Sequence, residues 1–181
     1  MSEFRYPASQ AEDQASGYIA AILAALGSRE PLDVLREMPG ALRTAIAGLS
    51  PSQLATPEAP GKWSLCQVLQ HLSDSDLVGA FRFRMVLAHD RPALPGYDQD
   101  RWVEGIHRND TDAHTALAEF TTLRQANVRL LERTTPEEMA RVGLHAERGA
   151  ETLAHLVKLH AGHDVVHLRQ VARIRNAVAP P

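Results

Sequence analysis

Apolar residues recur at three- and four-residue intervals along most of this chain, and no run of strict alternation marks a strand. Residues 10 to 26 (QAEDQASGYIAAILAAL) read as a first helix, with Gly27 placed to close it at C′. Pro31 suits the first turn of a second helix reaching about Leu49, and Pro39-Gly40 inside it predicts a kink or break. Ser50-Pro51 then caps a short connecting turn.

The next start signal is sharper. Ser64 and Gln67 form a capping box, with Trp63 and Val68 in the staple positions around it. The helix it opens runs to about His89 on a stripe of Leu65, Val68, Leu69, Leu72, Phe83 and Val86. Residues 90 to 109 are rich in turn formers and long for a simple connection, which points to a crossover or a functional loop. Asp110 or Asp112 can cap a helix to about Arg133, Thr135-Pro136 starts a short turn, and a last helix runs from about Glu151 to Val178, before Pro180-Pro181. Four long amphipathic helices with one long connection predict an all-α four-helix bundle over residues 31–178, preceded by an extension and an extra helix over residues 1–30.

Composition narrows the function classes. The 181 residues suffice for one domain with a hydrophobic core, and 44% apolar content is ordinary for a globular chain. A net charge of -3 gives no electrostatic reason to expect nucleic acid or an anionic membrane. The start, MSEFRYP, lacks the apolar run of a signal peptide, and Ile19–Leu26 is far short of the roughly 20 residues of a membrane span. One cysteine, Cys66, rules out an internal disulfide and fits a reducing compartment, so a cytoplasmic protein is expected. A homodimer through an apolar helix face is compatible with this composition.

Nine histidines are the compositional oddity. His163 and His167, four apart, share one face of the last helix with Thr152, Leu156, His160, Gln170 and Ile174. That face is a core stripe with its polar residues in the middle. Buried imidazoles must be hydrogen-bonded or ligated. The pair is therefore either half of a metal site or two core histidines satisfied by backbone or by Asp and Gln neighbours. His71, two turns into the capped helix with Ser75, Val78 and Arg82 on its side, admits the same two readings. Three neutral imidazoles with one open position are the ligand set of catalytic zinc and related divalent ions.

The residues also carry a resemblance. GKWS at 61–64 followed by VLQHLSDS at 68–75 resembles the second-helix motif of the DinB-like superfamily, and HDVVHLRQ at 163–170 resembles its closing motif. FRFRMVL at 81–87, with PGYD at 95–98 and Trp102, is similar to the YfiT-type branch. The likeness extends over roughly residues 32 to 176. It implies a four-helix bundle with an up-down-down-up path, the crossover following His89, and a divalent metal, zinc or nickel, held by His71, His163 and His167. It further implies, as the leading reading, a transferase conjugating a low-molecular-weight thiol of the bacillithiol, mycothiol or glutathione type to an electrophilic small molecule, with a metal-dependent hydrolase using metal-bound hydroxide as the alternative. A non-catalytic, stress-related ligand-binding bundle is the third reading.

Chemistry adds weaker candidates. A thiol on such a metal is deprotonated without a protein base, and water on it becomes hydroxide near neutrality, so the residues alone do not choose between transfer and hydrolysis. His160 could shuttle a proton, act behind a ligand or simply be buried, and Arg82 could hold a substrate carboxylate or make a surface salt bridge. Asp74 and Asp164 could orient imidazoles, with a solvated helix charge the preferred reading for Asp164; Gln170 reads as structural. Cys66 reads as a small core residue despite its place in a first helical turn. His89, His107, His114, His145 and His155 share no common geometry and read as surface residues. Tyr97 and Trp102 either wall an acceptor pocket or anchor their loop.

Overall fold

Caps and apolar stripes put the helices where the pattern predicts them in the computed structural model, which describes residues 11–107 and 109–179. Helix α1 spans Ala11–Leu26 and is closed by Gly27 at φ +61°; its expected first residue, 10, lies outside the described residues. Helix α2 spans Pro31–Ile46, α3 Pro51–Ala55, α4 Leu65–Ala88, α5 Gln99–Arg101, α6 Ala113–Leu131, α7 Pro136–Met139 and α8 Leu153–Val178. Both halves of the Ser64–Gln67 capping box form, and Trp63 and Val68 are buried beside it. Asp112, not Asp110, caps α6 by accepting from the Thr115 amide at 2.8 Å.

The expected break at Pro39 does not occur: α2 runs through it and ends at Ile46 rather than near Leu49. A proline inside a helix strands the carbonyl four residues earlier. Here that carbonyl, on Leu35, accepts from Arg124 Nη1 at 3.1 Å, so the lost bond is replaced from another helix.

Contacts between the long helices give their directions. Cys66 lies near Ala113, Asp76 bonds Arg124 and Arg84 bonds Asn127, so α4 and α6 run parallel. Arg124 bridges Leu35 to Asp164, while Arg175 bonds the carbonyls of Ala45 and Ala47, so α2 and α8 also run parallel. His71 meets His163, whereas Phe83 meets His160, so α4 and α8 are antiparallel. The path is up-down-down-up, and residues 89–112 form the crossover between the parallel helices.

That crossover is not a bare loop. It holds strand β1 (Ala93–Leu94), α5 and a wide π-helical turn over Trp102–His107. With β2 (Val142–His145) and β3 (Gly149–Thr152), β1 completes a small sheet in the order β1-β2-β3, parallel then antiparallel. The all-α bundle thus carries strands that the pattern did not predict. In β2 the buried positions are Gly143 and His145 while Leu144 is exposed, the reverse of apolar alternation. Gly143 is fixed by packing: a Cβ there would meet Leu94 Cδ1 at 2.5 Å and Val86 Cγ2 at 2.9 Å. β3 feeds straight into the Thr152 cap of α8, which is why that helix starts two residues later than expected.

The core is two apolar clusters stacked along the bundle. One gathers Leu42, Leu69, Phe120 and Ile174, the other Leu35, Val86, Leu131 and Leu153. Between them lies a polar layer centred on Arg124 of α6, which is 1% exposed. Its guanidinium donates to Asp76 of α4 at 3.1 and 2.7 Å and to Asp164 of α8, as well as to Leu35 of α2. Asn127 donates to Asp76 at 3.0 Å, and the Phe120 ring lies 4.7 Å beneath the guanidinium. α1 packs on α8 at Gly162, where a Cβ would meet Ile22 Cγ2 at 2.5 Å.

Removing the Arg124 guanidinium takes the same ion-pair partner from two buried carboxylates, Asp76 and Asp164. Arg124→Met is expected to lower unfolding free energy by about 3–5 kcal/mol in urea denaturation, whereas Arg36→Met, in an exposed ion pair with Glu132, is expected to leave it nearly unchanged. Equal losses would contradict this account.

Candidate metal centre

His71 enters the waist of the bundle from α4, and His163 and His167 enter from α8, one turn apart on its inner face. The three are 0%, 8% and 3% exposed. One ring nitrogen from each lies within 4.8 Å of the others, a spacing that a single ion can bridge. His71 Nε2 faces His163 Nε2 at 2.9 Å, and the ring centroids are 4.3 to 5.0 Å apart. Trp63, held by its place before the α4 cap, tilts against His71 at 5.1 Å.

The electrostatics suit ligation. Burial, followed by neighbouring imidazoles, holds His71 and His163 well below the ordinary histidine pKa, and burial brings His167 down to about 4. All three are neutral at physiological pH and keep a lone pair. For His167 the tautomer is set: Nδ1 donates to Gln170 Oε1 at 2.8 Å, leaving Nε2 bare toward the cluster. Gln170 therefore orients a site histidine, which corrects its reading as a purely structural residue. The donor set fits a divalent cation.

Among the described residues, a cavity of about 130 Å³ reaches the cluster at His163. Its walls come from α1, α4, α8, the crossover and the β2–β3 turn, and include Tyr18, Ser75, Arg82, Tyr97, His145 and His160. His160 sits over Gly79, where a Cβ would be 3.0 Å from its Cε1, and its Nε2 is 3.6 Å from Asp76 Oδ1. The burial of Asp76 opposes ionisation, but Arg124 and His160 outweigh it and hold its pKa at about 2. Asp76 is thus a fixed carboxylate facing an imidazole at the edge of the cavity.

Several expectations are corrected. Asp164 is not a solvated charge but fully buried against Arg124, and burial pushes its carboxyl up. Asp74 pairs with His107 at 3.0 Å, so neither His107 as a surface residue nor Asp74 as an orienter of His71 stands. His145 is 3% exposed and lines the cavity, and His155 is half-buried 3.9 Å from Glu151; neither is a free surface residue. His89 and His114 are exposed as expected. Burial raises the Cys66 thiol, in keeping with a core residue. Tyr97 lines the cavity and packs on Trp102 at 4.9 Å, which joins the two readings of the pair. Arg82 also lines the cavity, and its Nη2 donates to the Pro95 carbonyl at 2.6 Å.

Asp76 and Arg124 escaped sequence reasoning, although a signal was present. Each interrupts an apolar stripe: Asp76 falls between Leu72 and Phe83, Arg124 between Phe120 and Leu131. A charge at a core position of a helix marks a buried pair or a site.

Comparison with known proteins fits this geometry. The DinB superfamily model matches residues 35–171. "Putative metal-dependent hydrolase YfiT" of Bacillus subtilis is 30% identical over 146 residues, covering 78% of this chain and 82% of that protein. A "Putative metal-dependent hydrolase" of Geobacillus thermodenitrificans is 29% identical over 148 residues, covering 81% and 83%. The solved structure of the Bacillus subtilis protein, described as a four-helix bundle of unusual topology, superposes with a TM-score of 0.72 at 29% identity over 79% of this chain and 84% of that one. This chain belongs to the DinB superfamily, among its YfiT-like members.

Proposed function

We propose that this protein is a metal-dependent hydrolase of a small molecule, with His71, His163 and His167 holding a zinc or nickel ion and His160 moving the proton. A divalent ion there would supply Lewis acidity and lower the pKa of a bound water. The observation that carries the reading is the Asp76–His160 pair at the border of the same cavity as the three imidazoles. Asp76 faces Nε2 and orients the His160 ring from that side, which leaves Nδ1 as the nitrogen to accept a proton from an attacking water and return it to a leaving group. Gln170 keeps His167 in the ligating tautomer, and the apolar wall of Ile22, Phe83 and Leu156 excludes bulk water. The names of the relatives agree with this reaction class.

Thiol transfer is the second reading. Cys66 is buried away from the cavity, so a thiol nucleophile would arrive as a small molecule, and its deprotonation at the metal would make His160 dispensable. The two readings therefore differ in what they ask of one residue.

Elemental analysis of purified protein is expected to find about one divalent ion per chain, lost in His71→Ala; stoichiometric metal in that variant would overturn the ligand set. In a hydrolysis screen without added thiol, metal-loaded protein is expected to turn over and chelated protein not. His160→Gln is expected to lose about a hundredfold or more of that activity while keeping its metal. Thiol-dependent consumption of an electrophile, insensitive to His160→Gln, would instead establish the second reading.

The metal-free protein should also be acid-sensitive. The unfolded chain binds a proton at His167 near pH 6.5, while the folded one refuses it until about 4. Stability therefore falls as pH drops through that window, by about 3 kcal/mol from this residue alone. Urea denaturation of chelated protein between those pH values is expected to show the decline, and His167→Gln to make it shallower without abolishing it, since His71 and His163 are held down as well.

A further inference from the structure

We propose that the wall of the cavity away from the histidine cluster is a carboxylate-binding subsite, formed by Arg82 and His145, that holds the anionic end of the substrate. The inference rests on reading this cavity as the substrate pocket. Its basis is two residues that line one cavity, each carrying a buried N–H with no hydrogen-bond partner. Arg82 is fixed by its Nη2 bond to the Pro95 carbonyl at 2.6 Å, yet its Nε is buried and unpaired. His145 Nδ1 accepts the Glu147 amide at 3.2 Å, which puts the ring proton on Nε2, and that atom too is buried and unpaired. Such donors are costly to leave empty, so a site that keeps them is built for an acceptor.

The ligand class follows from charge and count. Arg148, also on the wall, is already held in a fork by Glu151 at 2.7 and 2.8 Å. Glu147, which packs against Gly96, offsets part of the charge of Arg82. Burial, then Arg148 and Arg82, keep His145 neutral with a pKa of about 3, so it contributes a donor and no charge. Arg82 is the guanidinium on this wall whose bond goes to a carbonyl and not to a carboxylate, and its charge, softened by Glu147, with two donors suits the single charge and two oxygens of a carboxylate better than a phosphate dianion. Arg82 lies eleven residues beyond His71, about 16 Å along the helix, and its side chain leans back toward the cluster. The reacting bond is therefore several bonds from the carboxylate.

Benzoate and benzamide have nearly the same shape and differ in charge, which makes them matched probes for this wall of the cavity. Calorimetry on metal-stripped protein is expected to show benzoate binding at least about tenfold tighter than benzamide. Arg82→Met should abolish that preference and His145→Phe reduce it severalfold, both with wild-type circular dichroism and metal content. The proposal is overturned if the probes bind equally or not at all, or if benzoate affinity survives both substitutions. Benzoate binding only to metal-loaded protein, or displacement by equimolar inorganic phosphate, also overturns it. His145→Phe decides the matter alone if Arg82→Met does not fold. A protein that binds benzoate in this way but never binds metal would refute the proposed hydrolase and leave the subsite standing.

Discussion

One buried guanidinium connects all four long helices. Arg124 of α6 reaches Asp76 on α4, Asp164 on α8 and the proline-freed carbonyl of Leu35 on α2. No sliding of one helix past another preserves all of these bonds, so the cluster fixes the axial register of the bundle as well as its stability. Replacing such a cluster with apolar residues of equal volume often costs nothing in stability. Its value here is positional: it sets the heights at which His71, His163 and His167 meet and at which His160 faces Asp76.

The polar layer explains why the core is split. Apolar clusters above and below are each continuous across the helices, while the waist between them carries every residue assigned to the metal centre and its proton relay. Burial in that waist keeps the imidazoles neutral, and neutrality is what fits them to hold a metal ion instead of repelling it. The same burial works against any thiol chemistry by Cys66, which lies in one of the apolar clusters. α1 lies outside the residues matched by the family model, yet Tyr18, Ile19 and Ile22 close one side of the cavity.

Much of this was legible in the chain because the signals are local. Capping boxes at Ser64 and Thr135 and the terminator at Gly27 each act within one turn, and the helices follow them. The histidine triad was legible through helical spacing on α8 and the family motif on α4. What stayed hidden depends on partners distant in sequence. Pro39 reads as a break until Arg124, 85 positions on, takes the carbonyl it frees. His145 reads as a surface residue because its strand is four residues long and inverted in polarity, with its burial supplied by the crossover and α4. His107 likewise acquires meaning only when a π-helical turn swings it onto Asp74.

The pocket itself owes its shape to atoms that are missing from side chains. At Gly79 the absent Cβ leaves the space that the His160 ring occupies beside the cluster. At Gly162, between His160 and His163, it lets the backbone of α1 settle onto α8 and roof the cavity. A methyl group at either position would press on imidazole or backbone, and helix propensity alone would favour alanine at both by about 1 kcal/mol. Neither position has the positive φ that would call for glycine on conformational grounds. Helix stability is thus given up at two points flanking the histidines, and at both the space gained is taken by the walls of the cavity.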